Sequence, residues 1–194
     1  MMRQSLSRYG RLGLHVFLAC LVLARASSAV IAAQGRPLRP SPPQPQQQQG
    51  LDYFAGSWSF AWTGRESALT AGPRSGNVAF TKNAAGDRLE MKADGTIEGG
   101  GTFQEAGSLT WDASGKMLTV RERLAGVEVQ GPGNWSSPIA IHFLSAPVRV
   151  KNQSLQLRRT YSIISGVSFI VTEEMSTDGG PFVRLGTGDF KKKP

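Results

Sequence analysis

The chain has almost none of the side chains that usually carry metal or thiol chemistry. Its one cysteine is Cys20 and its two histidines are His15 and His142. Cys20 and His15 lie in an N-terminal segment that we expect to be removed. The mature chain would then have no thiol and one histidine, which excludes disulfide bridges, thiol catalysis and zinc sites with cysteine ligands. We predict no metal and no cofactor.

The chain also lacks an apolar run of about 20 residues, the length that a transmembrane helix needs. The run from Leu12 to Leu23 is too short, follows three arginines and precedes several alanines and serines. This is the three-part pattern of a secretory signal peptide. We predict a signal peptide over residues 1–33, cleaved after Ala33 or, as second choice, Ala29. The mature protein would be periplasmic or secreted and would have no integral membrane segment.

A lipid anchor is the rival interpretation of this leader. Phe17-Leu-Ala-Cys20 resembles a lipobox, in which the cysteine receives the lipid. However, phenylalanine stands where leucine is usual, and apolar residues follow Cys20 where a polar tether is expected. We therefore predict cleavage and release, and not anchoring at Cys20.

The body of the protein has no large excess of positive or negative charge. The whole chain has a formal net charge of +8, but its basic excess lies at the two ends. Between Leu51 and Phe190 there are 13 basic and 14 acidic residues. Because nucleic-acid binding depends on a basic surface, we predict no nucleic-acid partner.

Residues 34–50 contain almost nothing that a core could bury. Proline and glutamine dominate this segment, and Leu38 is its one aliphatic residue. Such a composition stays solvated and extended. We predict a disordered linker between the cleavage site and the folded domain; a recognition or cell-wall spacer is the alternative.

From Leu51 onward, apolar residues recur at every second position, which is the period of a β-strand with one buried face. Turn signals such as Asp94-Gly95 separate these runs at intervals of about ten residues. About ten strands, each with one apolar face, must close on themselves to hide that face and their edges. We predict an all-β fold, a single antiparallel up-and-down β-barrel over residues 51–190, followed by a basic tail at 191–194.

One hairpin of this barrel can be predicted in detail. The three residues from Ile164 to Gly166 fit a type I turn that ends in a glycine with positive φ. This register pairs Ile163 with Val167. It also places six apolar residues on one inward face: Leu157, Tyr161, Ile163, Val167, Phe169 and Val171.

Three charged residues fall on inward faces: Arg159 and Glu173 on this hairpin, and Glu122 on an earlier strand. They need partners, because desolvating an ion costs several kcal/mol. In one interpretation, Arg159 and Tyr161 hold the acidic group of a lipophilic ligand, with Glu122 and Glu173 beside them. In the other, Arg159 pairs with Glu173 or Glu122, or lies in water at a barrel mouth, and no ligand is involved.

Phe54-x-Gly56-x-Trp58, at the start of the first strand, resembles the opening of calycins, the superfamily of lipocalins and fatty-acid-binding proteins. The resemblance implies that Trp58 closes one barrel end and that a basic residue of the last strand packs over it. Arg184 is the matching candidate. Fatty-acid-binding proteins also hold the ligand carboxylate with an Arg-x-Tyr pair on their final strand, whereas Arg159-Thr-Tyr161 lies two strands earlier. Residues 51–190 more closely resemble an uncharacterised family of exported bacterial domains of unknown function, which implies the fold and no activity.

The nitrobindin-type haem barrels begin with a similar Gly-x-Trp and bind haem through one histidine. That resemblance makes His142 a weak candidate for a haem ligand. His142 alternates with Ile141 and Phe143, so it faces solvent if those two residues face the core.

No pattern typical of catalysis stands out. One histidine without a positioned acid gives poor support to a serine nucleophile. Glu173 and Glu174 are adjacent on a strand and point to opposite faces, so they cannot flank one substrate bond. We predict a protein without enzymatic activity that binds a small lipophilic, acidic ligand. The alternative is a structural or protein-interaction module with a filled barrel.

Overall fold

A computed structural model of the chain describes residues 49–112 and 117–194. The predicted signal peptide, with Cys20, and most of the predicted linker lie outside the described residues. None of the helices in the described ranges is long and apolar enough to cross a membrane. The described residues form one short helix and eleven strands: α1 (Leu51–Phe54), β1 (Gly56–Gly64), β2 (Arg74–Lys82), β3 (Arg88–Ile97), β4 (Thr102–Trp111), β5 (Met117–Leu124), β6 (Val127–Ser137), β7 (Ala140–Leu144), β8 (Val148–Val150), β9 (Gln153–Ser165), β10 (Ser168–Thr177) and β11 (Val183–Lys192).

Ten of these strands form a closed antiparallel barrel. Each strand from β1 to β6 pairs with the next one in sequence, and β7 pairs with β9. The strands β9, β10 and β11 then follow in order until β11 pairs with β1. The extra strand β8 pairs with β9 alone. Closure gives every barrel strand two partners, and the predicted all-β barrel of about ten strands is confirmed.

The alternation of the sequence places one face of each strand in a single core. The largest fully buried side chains of that core include Trp58, Leu89, Leu118, Ile141, Phe143, Leu157, Ile163 and Phe169. The last strand ends at Lys192, two residues beyond the predicted domain end at residue 190. Two of the three lysines predicted to form a basic tail therefore belong to a strand.

The predicted register of the β9–β10 hairpin is wrong by two residues. Phe169 lies opposite Ile163, and Ser168 lies opposite Ser165, so only Gly166 and Val167 remain in the turn. Val167 is 60% exposed and does not belong to the inward face. The Ser165 hydroxyl bonds the Ser168 hydroxyl at 2.8 Å and accepts the Val167 N–H at 3.2 Å, which stabilises the shorter turn.

Helix α1 closes one end of the barrel. Gly56 has a φ of +111°, which lets the chain turn sharply from α1 into β1. The Tyr53 hydroxyl lies within hydrogen-bond distance of the carbonyl oxygens of Ser165 (2.9 Å) and Ser168 (2.8 Å), and so ties α1 to the β9–β10 turn. The fully buried Trp58 donates its indole N–H to the Phe54 carbonyl at 2.7 Å.

The basic residue over Trp58 is Lys192 and not Arg184. The Lys192 ammonium lies 5.3 Å from the centroid of the Trp58 ring and donates to the Tyr53 carbonyl at 3.3 Å. Arg184 is exposed and its guanidinium bonds Thr187. The reason is topological: in an antiparallel pair the end of β11 lies beside the start of β1, so Lys192 faces Trp58 while Arg184 lies at the other end.

Candidate ligand-binding site

An internal cavity of about 80 Å³ lies within the barrel. Its walls are mostly aromatic and aliphatic, and include Phe60, Trp62 and Phe169. Five charged residues also line it: Arg74, Glu105, Glu122, Arg159 and Glu173. The cavity therefore combines an apolar wall with a small set of charged groups, as ligand sites in proteins commonly do.

Arg159 lies at the centre of the charged group. Its Nε donates to Glu173 Oε2 at 2.8 Å, and its Nη1 donates to Glu122 Oε2. Glu173 is the direct cross-strand neighbour of Arg159, whereas Glu122 on β5 is separated from β9 in the sheet by β6 and β7. The second contact therefore crosses the interior. All three side chains are at most 8% exposed.

The structure thus brings together the four residues predicted to form the site: Arg159, Tyr161, Glu122 and Glu173. It also contains the ion pairs of the alternative interpretation, in which Arg159 satisfies Glu122 and Glu173. The guanidinium of Arg159, which would have to bind the acidic group of a ligand, already donates to both of these carboxylates. The ligand-binding role of these residues stays a prediction.

Arg74 and Glu105 form a second ion pair, at 3.5 Å, that the sequence analysis missed. The Arg74 guanidinium lies 5.1 Å from the Trp62 ring centroid and 5.4 Å from that of Phe103, and it donates to the Ala71 carbonyl. The alternation of inward and outward residues along β2 and β4 indicated that both side chains point inward. Glu105 is two residues from Phe103, and Arg74 has the same parity as the inward residues of β2.

Glycines provide room for the charged group. Gly107 lies opposite Glu122 in the β4–β5 pair, and a Cβ atom there would lie 2.9 Å from the Glu122 Cγ. Gly186 lies opposite Glu173 in the β10–β11 pair, and a Cβ atom there would lie 2.6 Å from Trp62 Cζ2. At both glycines the Cβ atom would also lie within 2.5 Å of a backbone carbonyl oxygen of a paired strand, so a larger residue there would shift a strand as well as a side chain that lines the cavity.

Burial and neighbouring charges set the protonation of these groups. Burial raises the pKa of the Glu105 carboxyl, two neighbouring carboxylates act in the same direction, and the two guanidinium groups oppose it. Burial alone would lower the pKa of Arg159, but Glu122 and Glu173 more than offset it, so the pKa is raised and the group stays charged. Burial also raises the pKa of the Tyr161 phenol to about 12, which keeps it neutral.

Three buried polar atoms on the cavity-lining side chains have no hydrogen-bond partner among the described residues. They are Glu173 Oε1, Arg74 Nε and Trp62 Nε1. A buried polar atom that lacks a partner costs about 1–3 kcal/mol, so native interiors rarely leave one unsatisfied. All three belong to side chains that line one cavity, where a bound water or ligand would supply the missing partners.

The outer face of the same hairpin carries a separate ion pair. The Arg158 Nε donates to Glu174 Oε2 at 2.8 Å, so Glu173 and Glu174 point to opposite faces, as predicted. His142 is also on the outer face; it is exposed, and its Nδ1 lies 3.1 Å from Thr160 Oγ1. His142 therefore points away from the barrel interior, as its alternation with Ile141 and Phe143 predicted, and its role as a haem ligand stays a hypothesis.

Solved structures with this fold include Rv2717c from M. tuberculosis, with a TM-score of 0.59 at 15% identity, over 74% of this chain and 95% of that one. The S-type phycobiliprotein lyase CPES from Guillardia theta gives a TM-score of 0.52 at 11% identity, over 74% and 90% of the two chains. Identities this low establish the fold alone, which is a closed antiparallel β-barrel. No protein-family model and no curated protein matches the sequence.

Proposed function

We propose that the barrel binds a small, largely apolar molecule in its internal cavity. The observation that carries this proposal is the set of unpartnered polar atoms on the cavity wall, Glu173 Oε1 and Arg74 Nε among them. A barrel that served only as a scaffold would gain stability from an interior without them. A bound molecule with a polar group at one end would supply the missing hydrogen bonds and cover the aromatic wall.

The competing function, a structural or interaction module with a filled barrel, is favoured by the size of the cavity. Its volume of about 80 Å³ is well below the ~300–1,000 Å³ usual for ligand pockets. By the space that one buried water needs, it holds roughly five to eight water-sized groups. The proposed ligand is correspondingly small and is not a long-chain lipid.

The acidic ligand predicted from the sequence has the weakest support. Arg159 already bonds two carboxylates, so a ligand carboxylate would compete with Glu122 and Glu173 for the same guanidinium. A ligand carboxylate would be the fourth acid on this cavity and would add to the repulsion among them. The proposal is therefore a small ligand whose polar group is not a carboxylate.

Titration of the full-length protein with benzyl alcohol, followed by the backbone amide resonances, tests the proposal. We expect shifts that saturate and that cluster on residues around the cavity. The variant Ala93→Leu, which places extra carbon atoms on the cavity wall, should abolish them. Its matched control is Ala79→Leu, which lies on the outer face of the neighbouring strand and should bind as the wild type does.

Melting temperatures of both variants would be measured alongside, because filling a cavity is expected to preserve or raise stability. The absence of saturable shifts in the wild type, or equal shifts in the Ala93→Leu variant, would overturn binding in the cavity and favour the filled module.

Export belongs to the same proposal, since the leader over residues 1–33 is its only support. So does membership in the family of exported bacterial domains that the sequence resembles. We propose a binding protein without turnover that acts outside the cytoplasm. N-terminal sequencing of the exported form should begin near Gln34; a mature chain that keeps a lipid on Cys20 would contradict release from the membrane.

A further inference from the structure

The charges that line the cavity do not balance. Three carboxyl groups, from Glu105, Glu122 and Glu173, face two guanidinium groups, from Arg74 and Arg159. Arg159 forms ion pairs with both Glu122 and Glu173, and Arg74 forms an ion pair with Glu105. If all five groups are ionised, one negative charge in the interior lacks a counter-ion.

Two of these carboxylates keep acceptor atoms open to a ligand, beside two donors, Arg74 Nε and Trp62 Nε1, that have no partner in the described part of the chain. The Arg159 Nε and Nη1 atoms are both engaged by carboxylates, whereas Glu173 Oε1 is buried and has no partner among the described residues. Glu105 has its one ion-pair partner at 3.5 Å, longer than a strong charge-assisted hydrogen bond. Two carboxylates can therefore accept a hydrogen bond from a ligand.

Aromatic rings line the same cavity. Phe60 and Phe169 both stack on Phe190, at centroid distances of 5.3 and 4.5 Å, and all three rings line the cavity. The faces of aromatic rings carry negative electrostatic potential and attract cations. Arg74 already uses this attraction at the faces of Trp62 and Phe103.

We infer that the ligand is a small organic cation: a primary ammonium or amidinium group on a compact apolar body of roughly eight non-hydrogen atoms, a size that the cavity volume sets. The positive group lies between Glu173 and Glu105, and the apolar body lies against the aromatic wall. This inference rests on the proposed function and adds the charge of the ligand to it. The positive charge of the ligand neutralises the one negative charge that the two arginines leave without a counter-ion.

Three probes of nearly equal shape separate charge from fit: benzylamine, benzyl alcohol and benzoate. We expect benzylamine to bind the full-length protein at neutral pH about tenfold more tightly than benzyl alcohol, because a charge-assisted hydrogen bond is roughly twice as strong as a neutral one. Benzoate should bind most weakly. Isothermal titration calorimetry measures all three dissociation constants without any variant.

The variant Glu105→Gln removes the excess negative charge while keeping the shape of the side chain. We expect it to reduce the preference for benzylamine over benzyl alcohol to less than about threefold, since the interior then carries two charges of each sign. The control Glu174→Gln alters the exposed pair with Arg158 on the outer face and should leave the preference unchanged.

The possible outcomes distinguish this inference from the function beneath it. Benzyl alcohol or benzoate binding as tightly as benzylamine would overturn the cationic ligand and leave the binding function in place. Binding of none of the three probes would overturn both. An unchanged preference in Glu105→Gln would show that the excess charge of the cavity does not select the ligand, and would also overturn the inference.

Discussion

Replacement of Arg159 by methionine should destabilise the barrel by about 3–5 kcal/mol, the usual cost of removing one partner from a buried ion pair. The reason is the position of its two partners. The Glu122 and Glu173 side chains are 8% and 3% exposed, so neither carboxylate could turn to water after the guanidinium is lost. Denaturant unfolding, followed by far-ultraviolet circular dichroism, measures the change.

Arg158 provides a matched control one residue away. Its pair with Glu174 is on the outer face, with side chains 41% and 26% exposed, and its guanidinium lies 4.2 Å from the Phe182 ring centroid. Arg158→Met should cost no more than about 1 kcal/mol, because exposed ion pairs are screened by solvent. Equal shifts in the unfolding midpoint for the two variants would contradict a buried cluster around Arg159.

A triple variant separates the loss of the ion-pair attraction from the cost of leaving two buried carboxylates without a partner. R159M/E122L/E173L removes all three charges at once and should recover much of the stability lost by Arg159→Met, because an apolar replacement of a buried ionic cluster is often neutral or stabilising. A triple variant less stable than the single one would mean that the cluster itself stabilises the fold.

The faces of the strands could be predicted from the sequence because side chains alternate strictly along a strand. That rule alone placed Glu122, Arg159 and Glu173 inside the barrel and Glu174 and His142 outside it. The same rule would have placed Arg74 and Glu105 inside, had it been applied to their strands. Which of these charges meet was not predictable, since the contact of Arg159 with Glu122 depends on barrel closure and not on neighbouring strands.

The loop length of the β9–β10 hairpin was not predictable from the position of its glycine. Local chemistry favours a three-residue loop that ends at Gly166. In the structure, the Tyr53 hydroxyl binds the carbonyls of Ser165 and Ser168, so a contact from more than a hundred residues away stabilises the two-residue turn. The role predicted for Arg184 is wrong for a different reason: β11 runs antiparallel to β1, which places Lys192, and not Arg184, beside Trp58.

Replacement of Trp58 by alanine should cost about 3–5 kcal/mol and leave the domain marginal or unfolded. The side chain is fully buried, and its ring lies 4.8 Å from the Phe169 ring and 5.6 Å from the Tyr53 ring, centroid to centroid. The smaller alanine would open a cavity between α1 and the barrel. Far-ultraviolet circular dichroism follows the loss without depending on tryptophan fluorescence.

Milder changes at the same end separate the parts of this closure. Trp58→Phe keeps most of the ring but removes the hydrogen bond to the Phe54 carbonyl, which should cost about 1 kcal/mol or somewhat more. Lys192→Met removes the cation above the ring and should cost about 0.5–1 kcal/mol, whereas Arg184→Met should change little. If Arg184→Met were the more damaging of the two, or if Trp58→Ala kept the wild-type unfolding midpoint, α1 and Trp58 would not close the barrel. The ordering follows from antiparallel closure, because only the last residues of β11 can lie beside the first residues of β1.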